Sequence, residues 1–243
     1  MRFRSHNPVF QRVLKTAYEG ENYEVASYRG VAFKTIYFIA LTILGAIISL
    51  WAAMAHPNAL GSLLPIALVV TIISSMLALW VPSLSQVFGS VYCLGEGLLV
   101  GFVSLLFELE APGVVLTAIL ATIVVLIVVT TLFVTRAIVV NSRFIRFLLI
   151  FSISMFLTQL LLWIISFSFG ITYSFGFSML TSGIMVFIAT LFLLFDLESI
   201  TQVVEGRAPK QWEWYVSFGL VFTIIWLYME ILPIIAQLFF DRN

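Results

Sequence analysis

Charge is what this chain has least of. Lys, Arg, Asp and Glu together make up 10% of its 243 residues, against roughly a quarter in soluble domains. A chain so poor in charge, 62% hydrophobic and with a mean hydropathy of +1.12, cannot cover its surface in water. Its solvent is lipid. Histidine is nearly absent: only His6 and His56 occur, which argues against a histidine-based zinc site or a buried serine–histidine pair. Cysteine is reduced to Cys93, which excludes an intramolecular disulfide framework and a cysteine-rich metal site. Twelve basic residues cancel twelve acidic ones, so net charge points to no nucleic-acid partner.

An early hydrophobic run is also missing. Residues 1–34 form a polar arm holding Arg2, Arg4, Arg12, Lys15, Arg29 and Lys34. A cleaved signal peptide would place a short apolar core directly behind its basic start. Here the first apolar run begins near Thr35 and is long enough to span, so it reads as a retained membrane helix behind a cytoplasmic arm.

What the chain does contain is seven such runs, at about residues 35–56, 60–81, 88–107, 113–135, 145–168, 175–196 and 214–240. Each is near the roughly 20 apolar residues a helix needs to cross the hydrocarbon. The joins are short (HPN at 56–58, VPS at 81–83, NSR at 141–143), which implies antiparallel neighbours. No internal repeat or domain boundary interrupts them, so residues 35–243 are expected to form one all-α transmembrane domain. With the N-terminus inside, eleven of the twelve basic residues lie in inner segments and only Arg242 falls outside. The positive-inside bias therefore orients the chain and favours seven spans.

Charges within spans need a reason, because each costs on the order of 3 kcal/mol at mid-membrane. Between Thr35 and Thr135 the charged positions are Glu96, Glu108 and Glu110; the last two belong to an outer loop. Asp196 closes the sixth run, Glu198 follows, and Glu230 lies deep in the seventh. At about 100° per residue, Gly219, Thr223, Glu230 and Gln237 form one stripe with Trp226 beside it. A polar stripe is expected to face protein or water. Pro233 cannot donate to the Met229 carbonyl, which is left to point at a cation or a water. The plainer alternative for Glu230 is a protonated carboxyl that ties two helices. In the third run, Gly97, Gly101 and Ser104 make a small-residue face that lets a helix approach closely. Glu96 beside it is either a polar anchor or a functional acid. Asp196 and Glu198 are alternatively interfacial residues at a helix end, and Tyr28, Trp212, Trp214 and Tyr215 read as interfacial anchors.

The residues Asp196 and Glu198, then Ala208-Pro209-Lys210 with Glu213-Trp214-Tyr215, then Leu227-Tyr228-Met229-Glu230 resemble the end of the bacterial Bax inhibitor-1/YccA family. Asn7–Phe10 (NPVF), Ala26–Thr35 and Tyr92–Ser104 extend the likeness to nearly the whole chain. The resemblance implies a seven-helix fold with the last helix central, in a bacterial inner membrane. It also implies an acid pair that senses pH and controls calcium leak. Carried over by motif, the pair is Asp196 and Glu230, with Ile200 completing the family's D-x-x-x-I spacing. Where many relatives have a second aspartate this chain has Glu198, its seventh-span acid is glutamate, and its second span has no arginine.

Two carboxyls in low dielectric cannot both ionise cheaply, so such a pair shares a proton. Deprotonated, it would offer a hard cation such as Ca²⁺ a site; protonated, it would not. If the sixth helix ended at Asp196, that acid would lie about 20 Å from Glu230 by helix rise. The sixth helix is therefore expected to continue inward past residue 200. The expectation is a pH-sensitive leak with either Ca²⁺ or H⁺ as the permeant ion and no cofactor. The alternative is a membrane interaction protein whose arm binds a membrane protease, without transport. An enzyme is not expected. The last span has no lysine for a retinal-type chromophore, since Lys15, Lys34 and Lys210 fall outside the expected spans. Only one spanning aspartate, Asp196, is available for aspartyl proteolysis.

Overall fold

The computed structural model describes residues 24–55, 57–170 and 175–240. The arm before Glu24, with the NPVF stretch, lies outside the described residues, as do His6, His56 and Arg242. Seven long helices account for the seven expected spans. They are α1 (Tyr28–Ala55), α2 (Pro57–Trp80), α3 (Ser85–Glu110), α4 (Val114–Val134), α5 (Ser142–Phe169), α6 (Phe175–Glu205) and α7 (Trp212–Phe240). All seven are long and apolar enough to cross a membrane. The protein is all-α, and the one β-type contact among the described residues is an isolated antiparallel bridge between Val25 and Pro209.

Local chemistry explains where the helices stop and start. Ser27 precedes α1, and its hydroxyl oxygen accepts from the Gly30 N–H at 3.0 Å, a standard N-cap. The cap starts α1 at Tyr28, well before the apolar run near Thr35, so Lys34 belongs to a helix. Backbone hydrogen bonding needs no apolar side chain, and the first turns of α1 extend beyond the greasy stretch. Asn141 caps α5 by accepting from the Arg143 and Phe144 N–H groups at 3.0 and 2.9 Å. The sixth helix continues to Glu205, past residue 200 as expected. It ends with Arg207 in the left-handed region, φ 52°. There the Ala208 N–H reaches the Val203 carbonyl and the Arg207 N–H reaches that of Val204, the pairing of a Schellman stop.

The chain divides into two compact units. The first comprises residues up to Leu109 together with Asp196–Phe222; the second comprises Glu110–Phe195 and the chain from Thr223 onward. In the first, α1 and α3 touch backbone to backbone. A Cβ added at Gly101 would lie 2.7 Å from the Ala46 Cα, and one at Gly97 would overlap the Thr42 carbonyl. The small-residue face foreseen on α3 is thus a seam with α1. Beside it, Phe38, Tyr92, Trp214 and Phe218 meet edge to face at 5.3 to 6.0 Å between ring centres, a favoured aromatic geometry.

The second unit buries Val114 and Ala118 of α4, Leu148 of α5, Ile188 and Leu194 of α6, and Leu232 of α7. Its α5 is the most exposed span, with 6% of its apolar window buried, whereas α7 has 39%, the largest share of the seven. Exposed Ile150, Phe156 and Leu161 give α5 the surface of a lipid-facing helix. The last helix is the most enclosed.

The seam supplies a direct test. Gly97→Ala forces the α1 and α3 backbones apart and is expected to destabilise by about 1–3 kcal/mol. Gly183→Ala, where an added Cβ meets nothing within 4 Å, should be neutral or stabilise by about 0.5–1 kcal/mol through helix propensity. Thermal unfolding in detergent compares the two.

Candidate functional site

Three places in the structure carry polar chemistry at membrane-helix positions. The first was not foreseen from sequence. Glu213, in the first turn of α7, has no exposed surface. Its Oε1 accepts from the Ser27 backbone N–H at 2.7 Å and from the Ser27 hydroxyl at 3.2 Å. Its Oε2 pairs with the Lys34 ammonium, whose side chain is 11% exposed. The carboxylate also sits at the start of its own helix and beside the first turn of α1, where helix dipoles favour negative charge. An added Cβ at Gly30 would overlap the carboxylate, so only glycine leaves room for it. The Lys34 ammonium lies 5.0 Å from the centre of the Trp214 ring, a cation–π distance.

Around this pair the segment before α1 and the turn between α6 and α7 are clasped together. The Ala26 N–H donates to the Ala208 carbonyl at 2.8 Å, and the Lys210 N–H to the Glu24 carbonyl at 2.8 Å. Ala26, Val31, Ile200, Val203, Ala208 and Val216 form one buried apolar cluster beneath. The Ser217 hydroxyl donates to the Val31 carbonyl at 2.9 Å. On the surface Lys210 pairs with Glu24. Its hydrogen bond and charge hold the Glu24 carboxyl below its ordinary 4.5, and Glu24 in turn raises Lys210 above 10.5. That pair therefore holds through neutral pH. The Glu24 contribution is present above the ordinary carboxylate value and is lost as pH falls through the lowered one.

The second place is the acid-rich end of α6. Because α6 runs on to Glu205, Asp196 is set within a helix rather than at its end. It is half-buried, with Oδ1 at 3.5 Å from where a Gly219 Cβ would stand, so it lies against α7 in the first unit. Glu198 accepts from the Gln202 side-chain amide one turn on, at 2.9 Å. Glu96, on α3, is half-buried between Gly95 and Gly97. The close approaches of those glycines to Thr71 and Thr42 place Glu96 beside the expected seam.

The third place is α7 within the second unit. Glu230 is half-buried, and its Oε1 accepts from the Trp226 indole N–H at 3.0 Å. Trp226 is in turn packed on Phe192 of α6, ring centres 5.7 Å apart. Thr223 is buried. Gln237 is half-buried, and its Oε1 is buried with no hydrogen-bond partner among the described residues. Among the described residues no cluster of three or more Asp, Glu, His or Cys is placed to hold a metal. Since Ca²⁺ takes six to eight oxygens, a cation at either acid would draw on carbonyls and water for most of its shell.

Seven apolar helices carrying a few half-buried acids define a polytopic α-helical membrane protein. The particular group is equally clear. A family model described as Bax inhibitor 1 like matches residues 7–239, and the chain belongs to that family. A comparison with curated proteins found no match.

Glu213 and Lys34 escaped the sequence because one was read as part of the family-like Glu-Trp-Tyr motif and the other as part of the arm. The available signal was opposite charge at the lips of the first and last spans on one membrane face. Removing one partner of a buried pair leaves the other charge uncompensated, typically a loss of about 3–5 kcal/mol. Glu213→Ala and Lys34→Met are each expected to lower the melting temperature in detergent sharply. The double variant Lys34→Met/Glu213→Leu should recover part of that loss, and an additive loss would show that the two do not act as a pair.

Proposed function

We propose that this protein is a proton-linked cation leak, for Ca²⁺ or H⁺, in a bacterial inner membrane, with Asp196 and Glu230 as its controlling acids. The observation that carries this is the setting of Glu230. It is a half-buried carboxyl on the most enclosed helix, held by the neutral Trp226 indole, with no basic side chain paired to it among the described residues. In a membrane interior such a group is met by a proton or by a cation. Ionised, it is an oxygen ligand for a hard cation; protonated, it offers no charge and the site empties. Pro233 in α7 removes a donor from the Met229 carbonyl, which supplies a second oxygen next to Glu230 in sequence. Asp196, half-buried against Gly219, is the acid that the family motif places in the same role.

Flux measured in reconstituted vesicles tests this. Ca²⁺ or H⁺ entry is expected to fall on acidification. Glu230→Gln, which fixes the neutral form, should abolish both the flux and its pH dependence, and Asp196→Asn should flatten the pH response. A Glu230→Gln protein that is folded and leaks like the parent, with the same pH profile, removes Glu230 from the mechanism.

A further inference from the structure

A cleft of about 280 Å³ opens in the first unit next to the Lys34–Glu213 pair, lined by Lys34, Ser83, Gln86, Lys210, Gln211 and Trp214. At roughly 30 Å³ per water it holds on the order of nine waters, room for a phosphate group with part of its hydration. Hydrogen-bond donors and positive charge dominate its polar wall. Each lysine ammonium has three N–H bonds, the two glutamines have amide N–H groups, and Ser83 has a hydroxyl.

The carboxylates nearby do not fill this site in the same way. Glu213 is wholly buried behind Lys34 and is already met by Ser27 and Lys34. Glu24 is different: it holds Lys210 from the solvent side, and both side chains are more than half exposed. An anion entering the cleft would take Lys210 from Glu24. The position also matters. The lining comes from the early turns of α1, the α2–α3 turn with the start of α3, and the α6–α7 turn with the start of α7, all at span ends on the face that the basic residues assign to the cytoplasm. Trp214 on the wall is a residue type that settles at the headgroup level.

We propose that this cleft binds a negatively charged phosphate group, of the kind an anionic phospholipid headgroup presents to a basic pocket between transmembrane helices. Glu24 is then its internal competitor, standing in for the phosphate on Lys210 when the cleft is empty.

The competition makes the test directional. The full chain, stripped of lipid in detergent, is titrated with phosphatidylglycerol or phosphatidylcholine and the bound lipid is counted by native mass spectrometry. Phosphatidylglycerol should bind in preference. Lys210→Gln should weaken it roughly fivefold, the usual effect of one basic residue at a membrane surface. Glu24→Gln should strengthen it. Both positions are exposed, so melting temperatures should stay near that of the parent; Gln86→Ala, on the α3 side, gives a second weakening variant. Displacement of the lipid by inorganic phosphate would assign the cleft to free phosphate, and persistence of the lipid would assign it to the headgroup. Equal binding of the two lipids, or Lys210→Gln and Glu24→Gln shifting affinity in the same direction, overturns the proposal.

Discussion

Hydrocarbon offers a charge no partner, so each ionisable side chain among these helices has to be met by the protein, by a proton or by an ion. The structure meets its charges in two ways. Glu213 is matched on every side: by Lys34, by the N–H and hydroxyl of Ser27, and by the first turns of two helices. The arrangement ties α1 to the start of α7 and holds the clasp between residues 24–26 and 208–210. Among the described residues, the hydrogen bond recorded for the Glu230 carboxyl comes from an indole on its own helix. Full matching makes a structural element; the proposed leak rests on the partial matching of Glu230.

The same constraint decided what the sequence could reveal. Lipid fixes the length and polarity of a spanning helix, so the seven spans were legible as runs of about 20 apolar residues. The seam on α3 was legible too, since Gly97 and Gly101 lie on one face at helical spacing and only small residues permit backbones to touch. The continuation of α6 past residue 200 followed from requiring that Asp196 not sit at the membrane surface, about 20 Å by helix rise from Glu230. The stripe through Thr223, Glu230 and Gln237 followed from helical periodicity; burial of Thr223 and of the Gln237 amide oxygen agrees with a stripe turned towards protein.

What the sequence hid has a physical cause as well. Lys34 and Glu213 are 179 residues apart, and neither lies on a periodic pattern that names its partner. Lys34 sits at the edge of the first apolar run, where a lysine ordinarily extends to the headgroups. That the first helix begins earlier, at a Ser27 cap, is a matter of local hydrogen bonding rather than hydropathy. Gly30 carried a trace of the answer: a glycine early in a helix is costly unless something needs its space, and here that something is the Glu213 carboxylate.

If Glu230 controls a leak as proposed, it changes protonation in step with flux. Infrared difference spectroscopy of the protein in lipid, recorded between mildly acidic and mildly alkaline buffer, reads that change at the carboxyl group itself. The account predicts a protonated-carboxyl band that disappears as pH rises, over the same interval in which flux increases, and that is missing from Glu230→Gln. A carboxyl spectrum that stays constant across that interval, or a band that persists in Glu230→Gln, would contradict it.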